Sequence, residues 1–358
     1  MCSSTAHCGP DEWGKQMEPR PRQGVLPADM MVTEANGAGG PEVLVPRRRP
    51  VPSPNAGEVL IEVAAAGVNG PDIMQRKGLY PAPAGASELL GLKIAGTVVA
   101  VGEGVSAWSI GDRLTALTNG GGYAEYCTVD ARHCLPIPEG VSVVDAAGLP
   151  ETFFTVWSNI FIGAGLRSGE KLLVHGGAGG IGATAIQLAK AFGAIVYATD
   201  SPAERCMFCS SLGADRVIDY RNEDFVEVVR KEAGGVNVIL DIVGGSYIEK
   251  NMKAAAPDGR IVQLAFALGS RVEINLMPVM LKRLTYTGST LRTRSPEFKA
   301  RIAQDLRTQA WPHIAAGRIR VVSNRILPLS RAAEAHAVME GAGHTGKILL
   351  VPDSLLPR

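Results

Sequence analysis

The sequence has no run of about 18 apolar residues, so no segment reads as a membrane-spanning helix. It also lacks an excess of either charge. Its 36 Lys and Arg stand against 35 Asp and Glu, a formal net charge of +1. Such a chain projects no broad field, which argues against nucleic acid or an anionic membrane as the main partner. Cysteine is sparse and scattered, at Cys2, Cys8, Cys127, Cys134, Cys206 and Cys209. Without a secretory signal these read as reduced thiols, and the expected location is cytoplasmic. Cys206 and Cys209 form a Cys-x-x-Cys with no second pair nearby, so they are expected to be packing thiols on a helix. Internal repeats are absent. Residues 1–29 lack apolar periodicity, and Asp11, Glu12 and Glu18 do not suit a typical transit peptide. A disordered extension is expected there, with organellar targeting as the alternative.

What is present is enough for two domains: 358 residues, 46% of them hydrophobic and 20% charged. Residues 30–152 read as β-rich. Val59, Ile61 and Val63 alternate with their neighbours as in a strand, and Gly67, Gly96, Gly102, Gly104 and Gly111 mark turns. A small barrel or sandwich is expected. From residue 153 the period changes. Strands are predicted at 171–175, 194–199, 217–218, 236–240, 260–265 and 284–287. Helices are predicted at 183–192, 205–212, 225–231 and 247–255. This alternation implies an α/β fold with a doubly wound parallel sheet over residues 153–293. Residues 294–358 are expected to return to the first domain, ending in a strand near 346–351.

Gly177-Ala178-Gly179-Gly180-Ile181-Gly182 follows a predicted strand and opens a predicted helix. Glycines in that position let the backbone approach a pyrophosphate, whose charge meets the positive end of the helix. Asp200 ends the next strand, eighteen residues beyond Gly182, near the spacing of a carboxylate that binds ribose hydroxyls. There it would favour NADH and repel a 2′-phosphate; the alternative is that it points to solvent. His175 is expected to be structural, as is Asp72 in its Gly70-Pro71-Asp72 turn.

The stretches Gly67-Val68-Asn69, Gln75-Arg76-Lys77-Gly78-Leu79-Tyr80 and Gly120-Gly121-Gly122-Tyr123-Ala124-Glu125-Tyr126 carry a family resemblance. So do Leu149-Pro150-Glu151-Thr152-Phe153, Asp241-Ile242-Val243-Gly244-Gly245, Gly288-Ser289-Thr290-Leu291-Arg292 and Gly346-Lys347-Ile348. From about Met31 to Val351 the chain resembles the zinc-independent quinone oxidoreductases of the medium-chain dehydrogenase/reductase superfamily. Within that family it is most similar to the subgroup of the p53-inducible quinone oxidoreductase and its bacterial relatives.

The resemblance implies a GroES-like catalytic domain with an inserted Rossmann domain, and NADPH-dependent reduction of a small-molecule quinone by a homodimer. Ser201, Arg205 and Tyr220 match the family's 2′-phosphate contacts. Asp200 departs from the small residue usual there, which keeps NADH in play. Asn69 and Tyr80 are implied to line the catalytic cleft, with Tyr80 hydrogen-bonding the quinone or stacking on the cofactor. Thr155, Ile242, Phe266 and Leu291 are implied members of the cofactor wall. Asn69 stands where zinc-dependent relatives have a cysteine, and Gly91-Leu92-Lys93 stands in place of their Gly-His-Glu. No zinc is therefore expected. Reduction of activated C=C bonds and a non-catalytic, crystallin-like role remain the alternative functions.

Overall fold

The computed structural model describes residues 26–341 and 343–356. Most of the expected extension, with Cys2 and Cys8, lies outside the described residues. The part inside them is ordered sooner than expected, because a strand already begins at Asp29. The chain divides into two units. The first contains residues up to Glu151 together with Ser295–Ala315 and Val321–Arg358; the second contains Thr152–Arg294 and Ala316–Arg320.

In the first unit, β1 (Asp29–Ala35) pairs antiparallel with β2 (Leu44–Pro50). The main sheet is built on β3 (Glu58–Gly67), whose apolar residues are buried along its whole length. Helix α1 (Gly70–Arg76) follows, then β4 (Lys93–Val101), β5 (Arg113–Leu117), β6 (Tyr126–Asp130) and β7 (Cys134–Pro136). The chain returns through α2 (Pro296–Asp305), β14 (Ser323–Pro328), α3 (Ala332–Glu340) and β15 (Lys347–Val351). Strand order is β14-β15-β3-β4-β5-β7, with β6 also paired to β3. Strand β15 thus joins the first sheet next to β3, as the terminal apolar run suggests. Val59, Ile61, Ile94, Val98, Leu114 and Ile348 close the core.

The second unit is a six-stranded parallel sheet. Its strands are β8 (Lys171–His175), β9 (Ile195–Asp200), β10 (Arg216–Asp219), β11 (Val236–Asp241), β12 (Ala255–Gln263) and β13 (Thr285–Gly288). Their order, β10-β9-β8-β11-β12-β13, reverses direction at β8, so crossovers wind to both sides. The connecting helices α4 (Gly180–Ala191), α5 (Ala203–Ser211), α6 (Phe225–Ala233) and α7 (Tyr247–Ala254) match the expected alternation. Two boundaries differ from expectation by three residues or more, the rest by two at most. Helix α4 starts at Gly180, three residues early, because the loop itself supplies the first turn despite glycine's poor helix propensity. Strand β12 begins at Ala255, directly after α7.

Residues Ala316–Arg320 belong with the second unit. The cause is local. Arg320 exchanges two backbone bonds with the Gln187 amide, at 2.8 and 3.1 Å, and its guanidinium donates to the Ser211 carbonyl at 2.8 Å.

Candidate functional site

The glycine loop leaves β8 and enters α4. Gly176 and Gly177 donate backbone N–H bonds to the Thr199 carbonyl at 3.0 and 3.1 Å, which ties the loop to β9. A Cβ on Gly182 would lie 2.2 Å from the Gly176 carbonyl oxygen, so this glycine is required by the loop's own packing. Gly179 is different. It caps α4 in an extended conformation, φ −74° and ψ 173°, that any residue adopts. A Cβ there would meet nothing closer than 3.4 Å. The fold does not need glycine at 179. Gly179, Gly180 and Ile181 remain partly accessible, and no side chain caps the helix. This cradle fits a dinucleotide pyrophosphate, which needs close backbone approach and a helix N-terminus.

Asp200 takes neither expected placement. Its side chain is buried beneath the loop rather than facing solvent. Oδ2 accepts from the Ala178 N–H at 2.7 Å, and Oδ1 accepts from the Ser201 N–H at 2.8 Å. The Arg205 guanidinium completes the set, with Nε 2.6 Å from Oδ1 and Nη2 3.3 Å from Oδ2. Each oxygen therefore already serves two donors. The carboxylate braces the phosphate loop and holds Arg205 as its counter-ion.

The other implied cofactor residues all lie in the second unit. Ser201 is buried after β9, and Tyr220 is 44% exposed after β10. The Ile242 side chain lies over Gly176, and Phe266 is exposed. Thr155 is buried; its carbonyl accepts from Asn159 Nδ2 at 2.9 Å, and Asn159 Oδ1 accepts from Ser289 at 2.8 Å. This links the Thr155 helix to the segment that carries half-buried Leu291.

In the first unit Asn69 precedes α1 and is buried. Its Nδ2 donates to the Gly67 carbonyl at 3.1 Å and to Asp72 Oδ2 at 3.2 Å. Asp72 also accepts from the Asn69 and Gly91 backbone N–H groups, at 2.8 and 2.9 Å. Burial pushes its carboxyl up to about 6, against these hydrogen bonds. Asp72 is thus structural, as its turn suggests, and it locks α1 to the Gly91 segment. Tyr80 is half-buried just beyond α1.

Sequence reasoning missed a second lock. Arg76 is fully buried and donates to Gly39 O, His336 Nδ1 and Glu340. An arginine only donates, so His336 Nδ1 accepts, and its Nε2–H donates to Tyr123 Oη at 2.9 Å. Burial holds His336 down to about 3, so this imidazole is neutral. The partners lie 213 and 260 residues apart in sequence, and no local pattern announces them.

The Gly91-Leu92-Lys93 stretch, expected in place of a Gly-His-Glu, buries its lysine. Lys93 is 1% exposed, with Nζ 3.4 Å from the Gly148 carbonyl. Burial lowers its pKa, opposed by the nearby carboxylates of Glu151 and Asp72. Burial depresses Lys347 further, and Lys93 adds to that depression. Asn69, Leu92 and Lys93 form no donor set for zinc, and among the described residues no group of three or more His, Cys, Asp or Glu is placed to hold a metal.

Comparison with known proteins agrees with this architecture. Residues 55–139 match the alcohol dehydrogenase GroES-like domain family, and residues 180–307 match the zinc-binding dehydrogenase family. Human quinone oxidoreductase is 32% identical over 320 residues, which cover 87% of this chain and 95% of that protein. A mycocerosic acid synthase-like polyketide synthase of Mycobacterium tuberculosis is 32% identical over 300 residues, but the chain spans only 14% of its length. Among solved structures, Escherichia coli quinone oxidoreductase complexed with NADPH superposes with a TM-score of 0.80 at 29% identity, covering 90% of this chain and 100% of that one. CurK enoyl reductase superposes with a TM-score of 0.80 at 28% identity, covering 91% and 100%. The chain belongs to the quinone oxidoreductase family of the medium-chain dehydrogenase/reductase superfamily and is an oxidoreductase that uses a nicotinamide cofactor.

Proposed function

We propose that the protein reduces quinones with NADPH and without a metal ion. The observation that carries this reading is the buried Lys93 side chain, which with Leu92 and Asn69 stands where the resemblance puts a zinc site's ligands. Without a Lewis acid the acceptor must take hydride readily, and a quinone does. NADPH, when bound in the glycine-loop cradle, would supply the hydride and be oxidised to NADP⁺. The quinone becomes a hydroquinone anion, which takes a proton from water or a side chain. Both hydrogens on Asn69 Nδ2 are committed to Gly67 O and Asp72, so Tyr80 is the proposed donor to the developing oxyanion. Asn69 then acts as a positioning residue.

The enoyl reductase likeness supports a second reading, hydride addition to activated C=C bonds with Tyr80 as proton donor. A panel of an ortho-quinone, a para-quinone and a 2-alkenal, each with NADPH and with NADH, separates the two. Quinone turnover that survives a chelator is the expected result. Turnover of the enal alone contradicts it. Tight cofactor binding without turnover of any acceptor favours a non-catalytic role.

Ser201, Arg205 and Tyr220 are the proposed 2′-phosphate contacts. Asp200 already neutralises Arg205, so discrimination against NADH should be modest. The described cysteines are free thiols, which suits a reducing cytosol. No helix among the described residues is long and apolar enough to cross a membrane.

The proposed assembly is a homodimer. Strand β13 lies at the sheet edge, and Leu276, Met280, Leu281 and Tyr286 nearby are exposed apolar residues. Light scattering at micromolar concentration is expected to give twice the chain mass. A monomer alone would contradict this.

A further inference from the structure

The second unit holds a buried hydrogen-bond relay that the proposed chemistry does not use. His175, Asn251 and Asp241 are each 0% exposed. Asp241 Oδ2 accepts from Asn251 Nδ2 at 2.9 Å, so the Asn251 carbonyl oxygen is turned towards His175. His175 Nε2 lies 2.8 Å from that oxygen and must carry the proton. Its Nδ1 then accepts from the Thr199 hydroxyl at 2.9 Å. Burial holds the imidazole below the usual histidine range, opposed by Asp241 and the Asn251 bond, so the neutral tautomer persists. Phe225 and Tyr247 close the ring in edge-on, at 4.7 and 4.9 Å between centroids.

The relay runs across the carboxyl ends of the adjacent strands β9, β8 and β11. At one end the Thr199 carbonyl receives the Gly176 and Gly177 N–H groups of the phosphate loop. At the other end Asp241 Oδ1 receives the Val243 and Gly244 N–H groups, at 2.6 and 3.1 Å. That fixes the turn carrying Ile242. The same turn organises the Phe266 segment: Ala267 and Leu268 donate to the Ile242 and Val243 carbonyls at 3.3 and 2.8 Å, and Gly245 donates to Gly269.

We propose that His175 is a positioning residue that sets the phosphate loop and the Ile242–Phe266 wall at one separation, so that a dinucleotide is held at both ends at once. The inference rests on the cofactor-wall reading above. A ligand that touches only the phosphate loop gains nothing from this coupling, whereas a full dinucleotide does.

The test compares NADPH with its fragment 2′-phospho-ADP-ribose, which lacks the nicotinamide, by calorimetric titration of wild type and His175→Phe. Phenylalanine keeps the ring and removes both hydrogen bonds. NADPH affinity is expected to fall about tenfold or more while fragment affinity changes by less than about twofold. Thr199→Val, nearly isosteric, cuts the relay at its other end and should give the same pattern if His175→Phe does not fold. Equal losses for both ligands, or no loss for either, in a folded variant would overturn the proposal. Wild type that binds neither ligand would overturn the cofactor reading and this inference with it.

Discussion

Gly179→Val is expected to leave the protein folded and to abolish cofactor binding. Backbone strain is absent at φ −74°, and a Cβ meets nothing closer than the Gly176 carbonyl at 3.4 Å. The added methyl groups would instead occupy the approach to the first turn of α4. There a pyrophosphate gains both backbone N–H bonds and the positive end of the helix. Losing two or more charge-assisted hydrogen bonds should cost about 3 kcal/mol or more, a factor of about a hundred in affinity. Gly182→Ala is the contrast: its Cβ would sit 2.2 Å from the Gly176 oxygen, so the loop itself must distort. Calorimetry and thermal melting separate the two, with binding lost in Gly179→Val and stability lost in Gly182→Ala. Unchanged NADPH binding in folded Gly179→Val would refute the loop assignment.

Asp200→Gly should have the second large effect, on stability first. The carboxylate is 3% exposed, satisfies Ala178 N, Ser201 N and the Arg205 guanidinium, and belongs to a buried ion pair. Removing one partner of such a pair typically costs about 3–5 kcal/mol, because the remaining charge loses its compensation. Arg205 is also released. Its full positive charge then becomes available to a 2′-phosphate, and the NADPH-to-NADH affinity ratio should rise by about tenfold. The ratio changes because an arginine is freed, not because a repelling carboxylate leaves the ribose. Melting temperatures and both dissociation constants, measured on wild type and variant, give the answer. An unchanged melting temperature and ratio would show that the Asp200–Arg205 pair does neither job.

Local signals were legible in the sequence; distant pairings were not. The glycine loop is readable because its demands lie within six residues and between a strand and a helix. The parallel sheet follows from alternating periods, and β15 from its apolar run of residues 348–351. Asp200 illustrates the limit. Spacing from Gly182 placed it at the end of β9, but its partner Ala178 is set by the pairing of β9 with β8, and Arg205 by the turn into α5. Sequence distance cannot distinguish a carboxylate that faces a ligand from one that braces the loop beneath it. The same holds for Arg76, which reads as a polar residue on a short helix. It is buried only because His336 and Glu340 return from α3 to meet it.

The central claim is that this chain passes hydride from NADPH to a quinone without a metal. The most direct measurement is a single turnover. Protein loaded with an equivalent of NADPH deuterated at the transferring position is mixed with excess quinone in the presence of a chelator, and loss of nicotinamide absorbance is followed alongside hydroquinone formation. Stoichiometric oxidation, slowed relative to unlabelled NADPH and unaffected by the chelator, is the predicted result. Bound NADPH that persists in excess quinone, or turnover that stops when metal is removed, would contradict it.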